Sequence, residues 1–394
     1  ARAAGVPIVT EVPALRASDL AIDALLGIGA ARPPDGALAD CIATLNGLPC
    51  PVLAIDVPSG LDAARGRALG APCVIAQHTL ALLSLKPGLF TGSGRDHAGT
   101  VWIDDLAVGD ASHAPAAWLC GSELGVSETR AHAQHKGSFG DVAIVGGAPG
   151  MGGAALLAAR AAHAAGAGRV YVEMLDEHAP SVLDPMRPEL MFRASWHQSD
   201  EATLAHSTVV CGCGGGDAVR ALLPRLLSAA GQLVLDADAL NTIAADSALQ
   251  NLLRARAARQ RLTVLTPHPL EAARLLASDT ARVQNDRLAA AQALAERFSC
   301  VVLLKGSGSV IAAPQRAPWI NSTGSAALAS AGTGDVLAGW LGGLWAQQPE
   351  AASSVEGAQR VACAAAFQHG LAADRSGMPV MLAGDLIGHL HAAR

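Results

Sequence analysis

The sequence predicts an α/β protein of two domains, and three observations carry that prediction. Short aliphatic runs alternate with turns and helix-like stretches along the whole chain, the pattern of strands layered between helices. The 394 residues are enough for two domains, each with a sizeable hydrophobic core. Hydrophobic residues make up 51% of the chain but aromatics only 3%, so helices have to pack through alanine and glycine.

Over residues 1–110 the apolar runs 7–12, 20–26, 52–55, 79–85 and 100–103 read as strands of a mainly parallel sheet, with 37–45 as one intervening helix. Between Asp110 and Gln134 the periodicity gives way to Ser, His, Ala and Gly. We read a domain boundary near residue 112, then a linker with the first segment of the next domain over 113–135. From Asp141 a second series runs strand 141–145, helix 153–165 and strands 169–174, 208–211, 232–235 and 262–266. It continues with helices 270–277 and 286–297, strand 300–304, and helices from Asp335 and Val355. Strands alternating with helices over 136–394 predict a layered α/β/α arrangement.

A formal net charge of −6 with no basic run argues against a nucleic-acid partner, so a phosphate ligand has to be held by local groups. The eight cysteines show no CxxC pair, which fits a reducing cytoplasm, and Cys211 and Cys213 read as lining a tight turn. No stretch reaches membrane-spanning length and no signal-peptide pattern is present, so no membrane partner is expected.

The most informative segment runs from Asn321 to Gly339. Gly332, Thr333 and Gly334 form a turn directly before a helix-like stretch, where backbone amides and the helix dipole favour an anion. Asp335 follows in the first helical turn, placed to take a proton from a hydroxyl at that cradle. Taken alone, the same residues also read as a capped helix start. Four further features fall at strand ends, where open α/β sheets bind ligands. The segment from Lys136 to Ala154 is a strand, a glycine-rich turn and a helix. The loop Cys211 to Gly216 suits a flexible turn or a close approach to a ligand. In Thr266-Pro-His-Pro-Leu-Glu271, two prolines present His268 rigidly, as a ligand contact or as a helix start. The strand from Val301 ends in Lys305, Gly306, Ser307, Gly308 and Ser309, a point charge and two hydroxyls for phosphate.

In the first half, Asp23 ends an apolar run and is followed by Gly27, Ile28, Gly29, Ala30, Ala31, Arg32 and Pro33. Downstream, Asp56 runs into a Pro-Ser-Gly turn containing Ser59. A carboxylate and a hydroxyl on one side suit acid/base chemistry or a cation, and an Asx-type turn accounts for them equally well.

Together with Asp236-Ala-Asp-Ala-Leu-Asn241, the features of the second half resemble the NAD(P)H-hydrate dehydratase family of the ribokinase-like superfamily, over roughly residues 125–394. Cys213 stands where the family carries proline. The first half resembles the NAD(P)H-hydrate epimerase domain that often precedes this dehydratase, through the segments around Asp23 and Asp56, Leu85 to Gly88 and Ala98 to Asp104. The resemblance implies a ribokinase-like three-layer α/β/α C-terminal domain preceded by a partial Rossmann-like α/β/α domain. The epimerase family's opening strand and its Asn-Asn-Gly-Gly-Asp loop have no counterpart in these residues. We therefore expect either a fragment or a defective epimerase, beside a dehydratase half that folds by itself.

The implied activity is removal of water from the (6S)-hydrates NADHX and NADPHX, with ADP as phosphoryl donor and Mg²⁺ as its divalent ion. Asp335 is the implied base, with the Gly332, Thr333 and Gly334 amides as anion hole. Lys305 to Ser309 and Gly334 would contact the nucleotide, and Ala154, Gly216, His268 and Asp335 the hydrate. In the epimerase half, Asp23 and Ser59 are implied potassium ligands, and Gly27 to Pro33 and Asp56 the hydrate contacts. The family further implies a homo-oligomer, such as a tetramer. Two other readings share the Asp335 segment: a small-molecule kinase of the same superfamily acting on a hydroxymethylpyrimidine or thiazole alcohol, and a non-catalytic nucleotide-binding module.

Overall fold

Parallel strands joined by helices build both halves of the chain, which divides into the units Ala1–His113 and Ala114–Arg394. The structure is a computed structural model that describes residues 2–9, 12–109, 114–124, 130–176, 178, 183–348 and 353–392.

The first unit holds four strands in the order of the chain, β1 (Ala21–Asp23), β2 (Val52–Ile55), β3 (His78–Leu82) and β4 (Thr100–Asp104), all parallel. Residues 7–9 and 12, expected in a strand, have no regular structure, and residues 10 and 11 lie outside the described residues. That run is exposed at Ile8, Val9 and Val12 and has no buried face to pair. The Gly36–Asn46 helix buries Ile42 against Val52, Ala54 and Val74. Val57, Leu61, Ala81 and Leu89 form a second small cluster.

The second unit carries ten strands: β5 (Trp118–Leu119), β6 (Asp141–Gly146), β7 (Arg169–Met174), β8 (Met191–Phe192), β9 (Ser207–Cys211), β10 (Gln232–Leu235), β11 (Leu262–Leu265), β12 (Val301–Leu304), β13 (Val310–Ala312) and β14 (Trp319–Ile320). Their spatial order is β5-β14-β13-β12-β11-β10-β9-β6-β7-β8. From β12 to β8 every pairing is parallel, and β13 runs antiparallel to both β12 and β14. β5 lies in the stretch read as linker and first segment, and there it adds an edge strand beside β14. The expected boundary near residue 112, and residues 125–129 of that stretch, lie outside the described residues.

The period-2 alternation of the strands feeds two cores, one on each sheet face. Val142, Ile144, Val210 and Val234 face helices Gly152–Ala164, Thr333–Ala346 and Val355–Ser376, whereas Ala143, Val145, Val209 and Leu233 face helices Val219–Ala229, Ser247–Ala258 and Arg287–Phe298. The scarcity of aromatics shows its use between the Gly152–Ala164 and Thr333–Ala346 helices. A Cβ on Gly339 would lie 2.0 Å from the Ala158 carbonyl oxygen, so the two backbones touch. Among the described residues no helix is long and apolar enough to cross a membrane.

Candidate active site

The turns that leave the carboxyl ends of β9, β10, β11 and β12 meet the amino end of the Thr333–Ala346 helix, and the conserved geometry of parallel strands puts all of these on one edge of the sheet. Each turn delivers one polar group: Cys213 after β9, Asp236 after β10, His268 after β11 and Lys305 after β12.

Gly332 is the N-cap of the helix, at φ +89°, a left-handed conformation open to glycine. The two residues after Thr333 leave amide donors free: among the described residues, neither the Gly334 nor the Asp335 N–H makes a hydrogen bond. Thr333 spends its hydroxyl on the loop itself, donating to the Leu328 and Ser330 carbonyls at 2.9 Å each. Its own carbonyl accepts from Nε2 of buried His369 at 2.9 Å, and burial lowers the His369 pKa to about 4, so the ring is neutral. The loop is thus clamped by neutral groups with its amides unspent.

Beside this cradle lies a charge network. Lys305 Nζ donates to Asp236 Oδ1 at 2.6 Å, and the Thr266 hydroxyl donates to the same oxygen at 2.7 Å. Burial favours the neutral Lys305 amine, but Asp236 and Glu271 outweigh it and hold the pKa above the ordinary lysine value. A Cβ on Gly334 would sit 3.4 Å from Lys305 Nζ, which places this cation against the amide cradle. Burial, and after it the Asp236 charge, pushes the Asp335 carboxyl up to about 6. Burial likewise raises Glu271 to about 7, against the pull of Lys305.

The other residues singled out in the sequence arrive at the same edge. A Cβ on Gly214 would meet Ala154 Cβ at 2.9 Å, and one on Gly216 would meet Ala148 Cβ at 3.0 Å, so the glycine-rich turns after β6 and β9 pack on each other. The Gly216 amide donates to Asp238 at 2.9 Å. His268 caps the Pro269–Leu276 helix in a reciprocal box. Its Nδ1 accepts from the Leu270 and Glu271 amides at 3.1 and 3.4 Å, and Glu271 accepts from the His268 amide at 2.8 Å. Burial and then Lys305 lower its pKa, keeping the ring neutral. The loop over Lys305 to Ser309 is supported from below by buried Arg287, which donates to the Leu304 and Lys305 carbonyls at 3.3 and 3.2 Å.

Cys211 and Cys213 do not share a site. Gly212, at φ +118°, turns the backbone so that Cys211 joins one core face while Cys213 joins the other, beside Asp236 and Asp335. All eight cysteines are free.

In the first unit, Asp23 is 1% exposed and accepts from the Ser59 hydroxyl at 2.6 Å and the Ser59 amide at 2.8 Å. Among the described residues no lysine or arginine pairs with it. Half-buried Asp56, at φ +71°, forms an ion pair with buried Lys86, whose ammonium also donates to the Leu82 carbonyl at 2.6 Å. Gly27 approaches Asp56, since a Cβ there would lie 3.6 Å from Oδ2. Gly27, Ile28, Gly29, Ala31, Arg32 and Pro33 are exposed and Ala30 is half-buried.

Sequence reasoning gave no role to Asp236, Asp238, Glu271, Lys86, His369 or Cys213. Asp236, Asp238, Glu271, Lys86 and Cys213 stood within quoted motifs, and an acidic residue near a strand-end lysine was the available signal for the carboxylates. His369 depends on a contact between distant segments.

The family model described as NAD(P)H-hydrate dehydratase matches residues 142–387, and the one described as YjeF-related protein N-terminus matches residues 1–88. A bifunctional NAD(P)H-hydrate repair enzyme of Leishmania braziliensis is 40% identical over 386 residues, covering 90% of this chain and 68% of that protein. The bifunctional NAD(P)H-hydrate repair enzyme Nnr of Escherichia coli K12 is 36% identical over 390 residues, covering 94% of this chain and 71% of that protein. An ADP/ATP-dependent NAD(P)H-hydrate dehydratase from Bacillus subtilis, crystallised with ATP and Mg²⁺, superposes with a TM-score of 0.57 at 25% identity, over 70% of this chain and 97% of that one. A ribokinase-like superfamily protein from Enterococcus faecalis V583 shares the fold with a TM-score of 0.57 at 20% identity, over 72% of this chain and 97% of that one.

Proposed function

The chain belongs to the family of bifunctional NAD(P)H-hydrate repair enzymes, and from that premise we propose that its second unit dehydrates the (6S)-hydrates of NADH and NADPH, consuming ADP and releasing AMP and phosphate. The observation that carries this reading is a half-buried carboxylate, Asp335, adjoining two unspent amides and a paired ammonium on one sheet edge.

A hydroxide ion is a poor leaving group, and phosphorylation turns the hydroxyl into a good one. The hydrate's C6 hydroxyl, lying against Asp335, loses its proton to that carboxylate as the oxygen attacks the terminal phosphorus of ADP. The bond from that phosphorus to the bridging oxygen breaks and AMP leaves. The Gly334 and Asp335 amides and the helix dipole face the charge on the moving phosphoryl group. Lys305 adds a cation there and keeps Asp236 neutralised. Loss of phosphate from C6, with a proton from the adjacent ring carbon, restores the reduced nicotinamide. Ala154, Gly216 and His268 line the hydrate's side, and Lys305, Gly306, Ser307, Gly308 and Ser309 the nucleotide's.

Cys213, Asp236 and Asp335 bring their ligand atoms within 4.8 Å of one another. They do not fit a Mg²⁺ cage, because burial holds the soft thiol protonated, and Asp236 is already taken by Lys305 and Thr266. Mg²⁺ then comes bound to the nucleotide phosphates. In the first unit, a buried Asp23 carboxylate with no cationic partner fits a monovalent cation, and we assign K⁺ to Asp23 and Ser59. Asp56, with Lys86 holding it and Gly27 beside it, is the group to act on the hydrate when the R and S epimers interconvert, and the loop Gly27 to Pro33 is assigned to the same substrate.

The test is absorbance at 340 nm on the protein supplied with (6S)-NADHX, ADP and Mg²⁺, with AMP and phosphate measured in parallel. NADH recovered in step with AMP and phosphate is the expected result. A stable phosphorylated product without NADH would make the chain a kinase.

A further inference from the structure

We propose that the second unit carries a further ligand site at the amino edge of its sheet, at the opposite end of the strands from the Gly332 cradle, built for a small molecule with a phosphate or carboxylate head. The inference stands apart from the dehydratase reading and holds or fails without it.

A cavity of about 660 Å³ opens at that edge, within the size range of small-molecule sites. The first residues of β6, β9, β10, β11 and β12 line it: Asp141, Ser207, Gln232, Leu262 and Val301. Because these strands are parallel, their amino ends share one edge and the turns of the candidate active site share the other.

Arg261, half-buried in the turn before β11, lines the cavity. Its Nη1 is buried and makes no hydrogen bond, which a folded protein rarely leaves so. Arg256 lies behind the same wall, 1% exposed, and donates to Thr263 Oγ1 at 2.7 Å and to the Leu262 carbonyl at 3.0 Å. The Arg261 amide donates to the Arg256 carbonyl at 3.0 Å, which ties the two residues together. Among the described residues neither arginine has a carboxylate within ion-pair distance. The one acid on the wall among them, Asp141, already holds Arg169 through both oxygens at 2.6 Å each. Two cations therefore border one concave surface with no anion to balance them.

Further donors stand on the same wall. Ser354 and Val355 bring the start of the 22-residue Val355–Ser376 helix to the cavity, and among the described residues the Val355 and Glu356 amides make no hydrogen bond. Gln232 accepts from the Thr208 hydroxyl at 2.6 Å through Oε1, which leaves its amide hydrogens unspent among the described residues. Ala257, Val301 and Ala346 add apolar wall for the body of the ligand. A guanidinium, a helix start and a side-chain amide around one cavity suit an oxyanion, whereas a neutral or cationic ligand would leave the charge unbalanced.

The experiment titrates ¹⁵N-labelled full chain with inorganic phosphate, and separately with acetate, at constant ionic strength. It follows the amide signals of Val355 and Glu356 beside those of Gly334 and Asp335 at the cradle. Wild type should show saturable shifts at Val355 and Glu356, and the tighter probe identifies the head as phosphate or carboxylate. Arg261→Met keeps the aliphatic stem and removes a group whose bond is unmade, so its denaturant midpoint should match or exceed that of wild type. Binding read at Val355 and Glu356 should weaken about ten- to a hundredfold in this variant, the scale of a hydrogen bond to a charge, while any shift at Gly334 and Asp335 stays as in wild type. Arg261→Lys, with the charge but not the fork, should fall between the two. No saturable shift at Val355 and Glu356 with either probe would leave the cavity to water and overturn the proposal. Shifts there that survive Arg261→Met at full affinity would overturn it as well.

Discussion

As the proposed base, Asp335 has to be ionised to accept a proton, and its surroundings make ionisation costly. Burial and the Asp236 charge raise its pKa to about 6, against an ordinary value of 3.8. A raised carboxyl is the weaker acid and the better base, and its ionised fraction falls as pH drops through that value. We therefore expect kcat/KM to be flat above neutrality and to fall about tenfold between its plateau and pH 5. A flat profile down to pH 5 would show that a different group accepts the proton. Asp335→Asn keeps the shape and removes the proton acceptor. It should bind ADP normally while turnover drops by about two to four decades, checked by calorimetry and the 340 nm assay.

At the scale of elements, the site is held by close backbone packing under the Thr333–Ala346 helix. Gly339→Ala would drive a methyl group to 2.0 Å from the Ala158 carbonyl oxygen, backbone against backbone, and one helix must move. Destabilisation of about 1–3 kcal/mol or more, read as a lower denaturant midpoint, is expected together with weaker nucleotide binding, because this helix carries the amide cradle at its start. The alternation of aliphatic runs and the Gly-Thr-Gly-Asp turn made this helix and the central parallel strands legible in the sequence. The short strands β13 and β14, of three and two residues, were not, since such short runs show no period. His268 was left between a ligand contact and a helix start. It caps the helix, within electrostatic reach of Lys305. The pairing of Lys305 with Asp236, 69 residues apart, is set by strand order alone, and no local pattern announces it. The same holds for Cys213, whose side of the sheet depends on the left-handed turn at Gly212.

Across the whole molecule, two α/β units each place their polar groups at strand ends, and each belongs to a different step of one repair. The dehydratase account makes a specific claim about atoms: the hydroxyl oxygen of the hydrate becomes bonded to phosphorus before its bond to carbon breaks. Labelling that hydroxyl with ¹⁸O and analysing the products by mass spectrometry follows the oxygen directly. The account predicts that the label leaves in inorganic phosphate, one atom for each NADH formed. Label recovered in water, with unlabelled phosphate, would contradict it, because the hydroxyl would then have departed without ever attacking the nucleotide.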